Sequence, residues 1–96
     1  MNSTIIDRKF KFVAINPCNK KVYTEENAVL FCAKDRCLIP AIDAYYHACL
    51  ISGCGTEHLE SIRLLKDRIA DFQKLEIRTP DTETDCEIDR CIGGNL

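Results

Sequence analysis

From Arg8 to Ile15, in RKFKFVAI, apolar and polar side chains alternate, and the stretch is rich in aromatic and β-branched residues. That period of two predicts a pleated strand with Phe10 and Phe12 on one face. NPCNKK follows with turn chemistry, because Pro17 fixes its φ and Asn16 and Asn19 tolerate turn conformations. KVYT and AVLFCA, separated by EEN, read as two further short strands, so the first third of the chain predicts a three-stranded meander.

After Asp35, which can cap a helix, the pattern turns helical and runs to Gly53, with Gly53 and Gly55 as stop signals. Pro40 falls about one turn inside, where a missing N–H is expected to bend the helix. Thr56 is expected to cap a second helix, along which Leu59, Ile62, Leu65, Ile69 and Phe72 recur at steps of three and four. Arg63 and Asp67 lie four apart on its outer face, as do Asp43 and His47 on the first helix, and each pair is placed for an ion pair. The apolar period fades after Leu75, and Thr79-Pro80 ends it. The expected fold class is α+β: a short antiparallel β-meander followed by two antiparallel helices, the first kinked at Pro40. Residues 1–79 are expected to form a single domain, and 80–96 a disordered acidic tail.

Composition narrows the possibilities. In 96 residues, 46% hydrophobic and 29% charged with a formal net charge of -2, there is neither the basic excess of a nucleic-acid binder nor the polarity of a disordered chain. Twelve Lys and Arg stand against ten carboxylates in residues 1–79, and one Arg against five carboxylates from Pro80 onward. The body is mildly basic and the tail acidic. No run of apolar residues is long enough for a membrane span, and MNSTIIDRKF has no leader pattern, so the protein is expected to remain in the cytoplasm where it is made. Seven cysteines, an odd number, then read mostly as small buried thiols rather than a disulfide framework.

Candidate chemistry is sparse. Cys32 and Cys37, Cys49 and Cys54, and Cys86 and Cys91 share one spacing, with four residues between the members of each pair, at the loose end of what zinc sites use. His47 and His58 lie near the middle pair. No phosphate loop, nucleophile elbow, HExxH or dinucleotide fingerprint occurs, so catalysis is not expected, nor a cofactor or resident metal.

The first helix is more informative. Leu38, Ile42, Tyr45 and Cys49 form one apolar stripe for the chain's own core. Ile39, Tyr46 and Leu50 form a second, about a quarter-turn away, which suits a second copy of the chain across a two-fold axis. Covering each large apolar side chain is worth about 1.5–3 kcal/mol. Tyr45 and Tyr46 also suit stacking on a flat ligand, with Arg36, Arg63, Lys66 and Arg68 as cations for its phosphates.

In order of elements, the segments KVYTEENAVLFCAKD, CLIPAIDAYYHACLISGC and EHLESIRLLKDRIADFQ resemble the Thoeris anti-defence sponge family of phage and prophage proteins. The resemblance covers roughly residues 8–75. It implies a non-enzymatic protein of a bacterial host's cytoplasm that assembles as a homo-oligomer, dimer or hexamer. Such a protein sequesters a cyclic nucleotide signal, chiefly a cyclic ADP-ribose isomer and in some members a cyclic oligonucleotide, without cleaving it. No DNA, RNA or membrane partner follows from it. Two other readings stay open on the residues alone: a phage-type interaction module that inhibits a host protein, with the acidic tail mimicking nucleic acid, and a small zinc-binding domain.

Overall fold

The computed structural model describes residues 5–80. They fall into two compact units, residues 5–30 and Phe31–Pro80.

In the first unit the alternating stretch forms a two-stranded antiparallel hairpin, β1 (Val13–Ile15) and β2 (Val22–Thr24), in the register Val13↔Thr24, Ala14↔Tyr23 and Ile15↔Val22. The connecting loop uses its asparagines differently from the sequence expectation. Asn16 Oδ1 accepts the Cys18 N–H at 2.9 Å and Asn19 Oδ1 accepts that of Lys21 at 2.9 Å, while the left-handed residue is Lys20, at φ 65°. Phe10 and Phe12 precede the strand, because their backbone N–H groups are taken by carboxylates. Asp7 Oδ1 accepts from Phe10 at 2.6 Å, and Glu25 Oε1 accepts from Phe12 at 3.1 Å.

The expected three-stranded meander is corrected to two strands among the described residues. The Leu30 N–H bonds to Asp7 Oδ2 at 2.6 Å instead of to a neighbouring strand, and the Cys32 carbonyl accepts the Asp35 N–H in a turn at 3.0 Å. AVLFCA has the composition of a strand, but the distant Asp7 carboxylate and a local turn claim its backbone groups instead.

The second unit is a helical hairpin, α1 (Leu38–Ile51) and α2 (Thr56–Gln73). Helix α1 begins later than the sequence suggests. Asp35 caps a turn, its Oδ1 accepting the Cys37 N–H at 2.7 Å and its carbonyl the Leu38 N–H at 3.0 Å, and Cys37 is the N-cap. Pro40 is therefore the third helical residue, and the first bond of the ladder runs from Ala41 N–H to the Cys37 carbonyl at 3.2 Å. A missing N–H at that position removes no helical hydrogen bond, so the kink expected at Pro40 has no cause.

Thr56 is likewise the first residue of α2 rather than its cap, a place taken by Gly55 without a side-chain hydrogen bond. The stop at Gly53 is as expected: Gly53 has φ 80°, its N–H bonds to the Leu50 carbonyl at 3.2 Å, and the Cys54 N–H bonds to the Cys49 carbonyl at 3.0 Å. These two bonds are a Schellman motif, which satisfies the last carbonyls of α1 and turns the chain back on itself.

The two helices pack on each other. Asp43 meets Lys66, whereas Tyr45, further along α1, meets His58, earlier on α2, so they run antiparallel. Leu38, Cys49, Ile62 and Ile69 are the buried apolar side chains of this core. Beyond α2 the chain returns alongside the start of the unit. Asp35 and Arg78 form a parallel bridge, in which the Arg36 N–H donates to the Arg78 carbonyl at 2.8 Å and the Arg78 N–H to the Lys34 carbonyl at 2.7 Å. Gln73 Nε2 donates to the carbonyls of Ala33 and Asp35 at 2.9 and 2.8 Å. The acidic segment for which disorder was expected, from Asp81 onward, lies outside the described residues.

Candidate functional site

Two places on the helical hairpin gather chemistry. The first is a groove between α1 and α2 of about 250 Å³, lined by Ile42, Asp43, Tyr46, Ile62, Arg63 and Lys66. Its residues converge because positions 42, 43 and 46 of α1 face positions 62, 63 and 66 of α2 in the antiparallel register. Ile42 and the buried Ile62 make an apolar floor, Tyr46 a half-buried aromatic wall, and Arg63 and Lys66 a cationic edge.

Each cation has a carboxylate at hand. Lys66 Nζ lies 2.7 Å from Asp43, and Arg63 lies 2.6 Å from Glu60. Arg63 thus pairs with Glu60 rather than with the expected Asp67, and Asp43 pairs across the hairpin rather than with His47. The hydrogen bond from Arg63 holds the Glu60 carboxyl below its ordinary range. In return Glu60, with smaller help from Asp67 and Tyr46, holds Arg63 above its ordinary range. Both ion pairs are half exposed, and pairs of this kind are worth about 0–1 kcal/mol, so they can open to an incoming anion. A guanidinium has five donors and can keep Glu60 while it binds a phosphate.

The second place is the turn itself. Cys49, Cys54 and His58 bring two sulfurs and an imidazole nitrogen within 4.8 Å of one another. The Schellman motif sets Cys49 and Cys54 side by side, where such motifs commonly pair apolar side chains. His58 arrives from the first turn of α2. Tyr45, one turn before Cys49, stands edge-on to the His58 ring with centroids 6.5 Å apart. Its hydrogen bond to Cys49 raises the Tyr45 hydroxyl above its ordinary pKa, and partial burial does the same to the Cys54 thiol, with the Cys49 hydrogen bond adding to it.

Of the residues singled out in the sequence, the structure gathers Tyr46, Arg63 and Lys66 on the groove and sets Tyr45 at the turn. Arg36 donates to Thr79 Oγ1 at 3.1 Å and does not line the groove, nor does the exposed Arg68. The two stripes of α1 differ from expectation in their burial. Tyr45, read as core, is 53% exposed, whereas Tyr46 is half-buried against α2; Ile39 is half-buried and Leu50 is 51% exposed. Cysteine burial differs too: Cys49 is buried, but Cys18 and Cys37 are exposed.

Sequence reasoning missed Asp43 as the cross-hairpin partner of Lys66 and left His47 and His58 as equals beside the cysteines. The spacing carried a usable signal. Four residues from His58 back to Cys54 is one helical step past a glycine turn, while His47 points off α1 two residues before Cys49.

The chain matches no protein-family model, and neither the curated proteins nor the solved structures include one that is significantly similar to it.

Proposed function

We propose that the protein is a non-enzymatic binder that sequesters a small anionic ligand of the cyclic nucleotide class in the groove between α1 and α2. The observation that supports this reading most is the convergence of Tyr46, Arg63 and Lys66 over the Ile42 and Ile62 floor. A nucleobase stacks on Tyr46, the floor excludes water from its edge, and phosphates exchange onto Arg63 and Lys66 from their carboxylate partners. Cyclic ADP-ribose isomers are the first candidates and cyclic oligonucleotides the second, as the resemblance to the sponge family implies. The ligand leaves as it came, because sequestration asks only for recognition. The protein acts in the cytoplasm of a bacterial host and self-associates through apolar side chains that the helical hairpin leaves exposed, Leu50 and Ile51 among them.

Thermal shift against a panel of cyclic nucleotides tests the reading. A true ligand at a hundred times its Kd stabilises the folded form by about 2.7 kcal/mol. The shift is expected to vanish in Arg63→Ala with Lys66→Ala, and intact ligand to be recovered after heat denaturation. A panel without any shift, or recovery of a hydrolysed product, overturns it. Replacing the five tail carboxylates by amides separates this reading from an inhibitor that acts through acidic mimicry: the groove binder keeps its ligand, and the mimic loses its target.

A further inference from the structure

We propose that Cys49, Cys54 and His58 form a site for a divalent transition metal of the zinc class, independent of the groove. The donor set is the first reason. Two thiolates and an imidazole select zinc-like ions over magnesium or calcium, and with Zn(II) they make a locally neutral centre.

Geometry is the second. In a tetrahedral zinc site the Zn–S and Zn–N lengths of about 2.3 and 2.0–2.1 Å place neighbouring donors roughly 3.5–3.8 Å apart. The three donors already lie within 4.8 Å of one another, so a contraction of about 1 Å, within reach of side-chain rotation, completes the site. The backbone that carries them is fixed without metal, by the Gly53 and Cys54 N–H bonds at one end and by the Leu59 N–H to Gly55 carbonyl bond, 3.1 Å, at the other.

The surroundings are the third. Cys49 is buried, Cys54 half-buried and His58 exposed, so the centre has one dry side and one side open to a water as fourth ligand. Tyr45 stands edge-on to the His58 ring, with centroids 6.5 Å apart, and is placed to steady that imidazole from outside the metal's own ligands. A metal bound here ties the end of α1 to the first turn of α2.

Cobalt(II) titration of the reduced, chelator-stripped full-length protein reads the site directly. One equivalent is expected to produce sulfur-to-cobalt charge-transfer bands and the intense visible bands of a tetrahedral centre, displaced by one equivalent of zinc. Cys54→Ser and His58→Ala are expected to lower cobalt affinity by at least about the hundredfold that outer-shell changes reach, with helical circular dichroism unchanged. His58→Cys, which keeps a ligand, restores binding with stronger charge transfer, and so separates loss of a ligand from loss of the fold. Absence of the bands, or bands that survive both Cys54→Ser and His58→Ala, overturns the proposal; so does a Cys49–Cys54 disulfide that persists under reduction and blocks uptake.

Discussion

At Gly53 the backbone holds φ 80° with nothing within 4 Å of where a β-carbon would stand, so the position asks for glycine on conformational grounds alone. Alanine there meets no neighbour but must occupy the left-handed region, at about 1–2 kcal/mol. Gly53→Ala is expected to lower the melting temperature by several degrees, since each 1 kcal/mol moves a domain of this size by roughly 4–8 °C. Gly55, with φ -64° and equally open surroundings, needs no left-handed backbone, so Gly55→Ala is expected to lose only the N-cap preference for glycine over alanine, up to about 1 kcal/mol.

Asp7 shows the opposite kind of dependence. Only 2% exposed, it accepts the N–H groups of Lys9, Phe10 and Leu30. Asp7→Ala strands those donors and is expected to cost roughly 3 kcal/mol, with Asp7→Asn costing less because an acceptor oxygen remains. Chemical denaturation curves at constant slope measure both. Asp7 was not legible in the sequence, where an acid just ahead of a basic strand reads as a solvated charge; its partners arise only once Leu30 has folded back.

At the scale of the element, the sequence was most readable where one period ran unbroken. Of the residues picked out by steps of three and four, Ile62 and Ile69 are the buried residues of α2 and Leu59 is half-buried, whereas Leu65 and Phe72, towards the edges of that face, are exposed. Boundaries were less readable, because a one-turn shift changes what a residue does. Pro40 reads as a kink if α1 starts just after Asp35 and as a harmless first-turn proline when it starts at Leu38. Pro40→Ala is therefore expected to change stability by less than about 0.5 kcal/mol, far from the 3 kcal/mol or more of an interior proline.

The Glu60–Arg63 pair on α2 gives a pH-dependent expectation. The folded carboxyl titrates lower than the unfolded one, so its contribution is present above the unfolded range and disappears as pH falls through the folded value. Melting temperatures of wild type and Glu60→Gln are expected to differ near neutral pH at low salt, wild type higher, and to converge in acid or in high salt.

For the molecule as a whole, the types of residue in the groove were legible but their meeting was not. Tyr46, Arg63 and Lys66 stand out in the sequence as ring and cations, yet only the antiparallel register puts them on one surface with Ile42 and Ile62. The same register divides the second stripe of α1 instead of turning it outward whole. Tyr46 turns into the groove, while Leu50 and Ile51, 51% and 75% exposed, remain on the surface of a hairpin whose buried apolar side chains are Leu38, Cys49, Ile62 and Ile69. A core that small supplies little stability by itself, and chains of this size often complete it by association. Covering Leu50 and Ile51 in a symmetric pair contributes about 1.5–3 kcal/mol for each side chain.

Sedimentation is therefore expected to show a homo-oligomer that Leu50→Glu with Ile51→Glu converts to monomer, because each copy brings the same charges to the shared surface. Ligand-induced thermal shift in that monomer then separates two architectures. A retained shift places the whole binding site in one groove, whereas a lost shift with circular dichroism intact means that a second copy completes it.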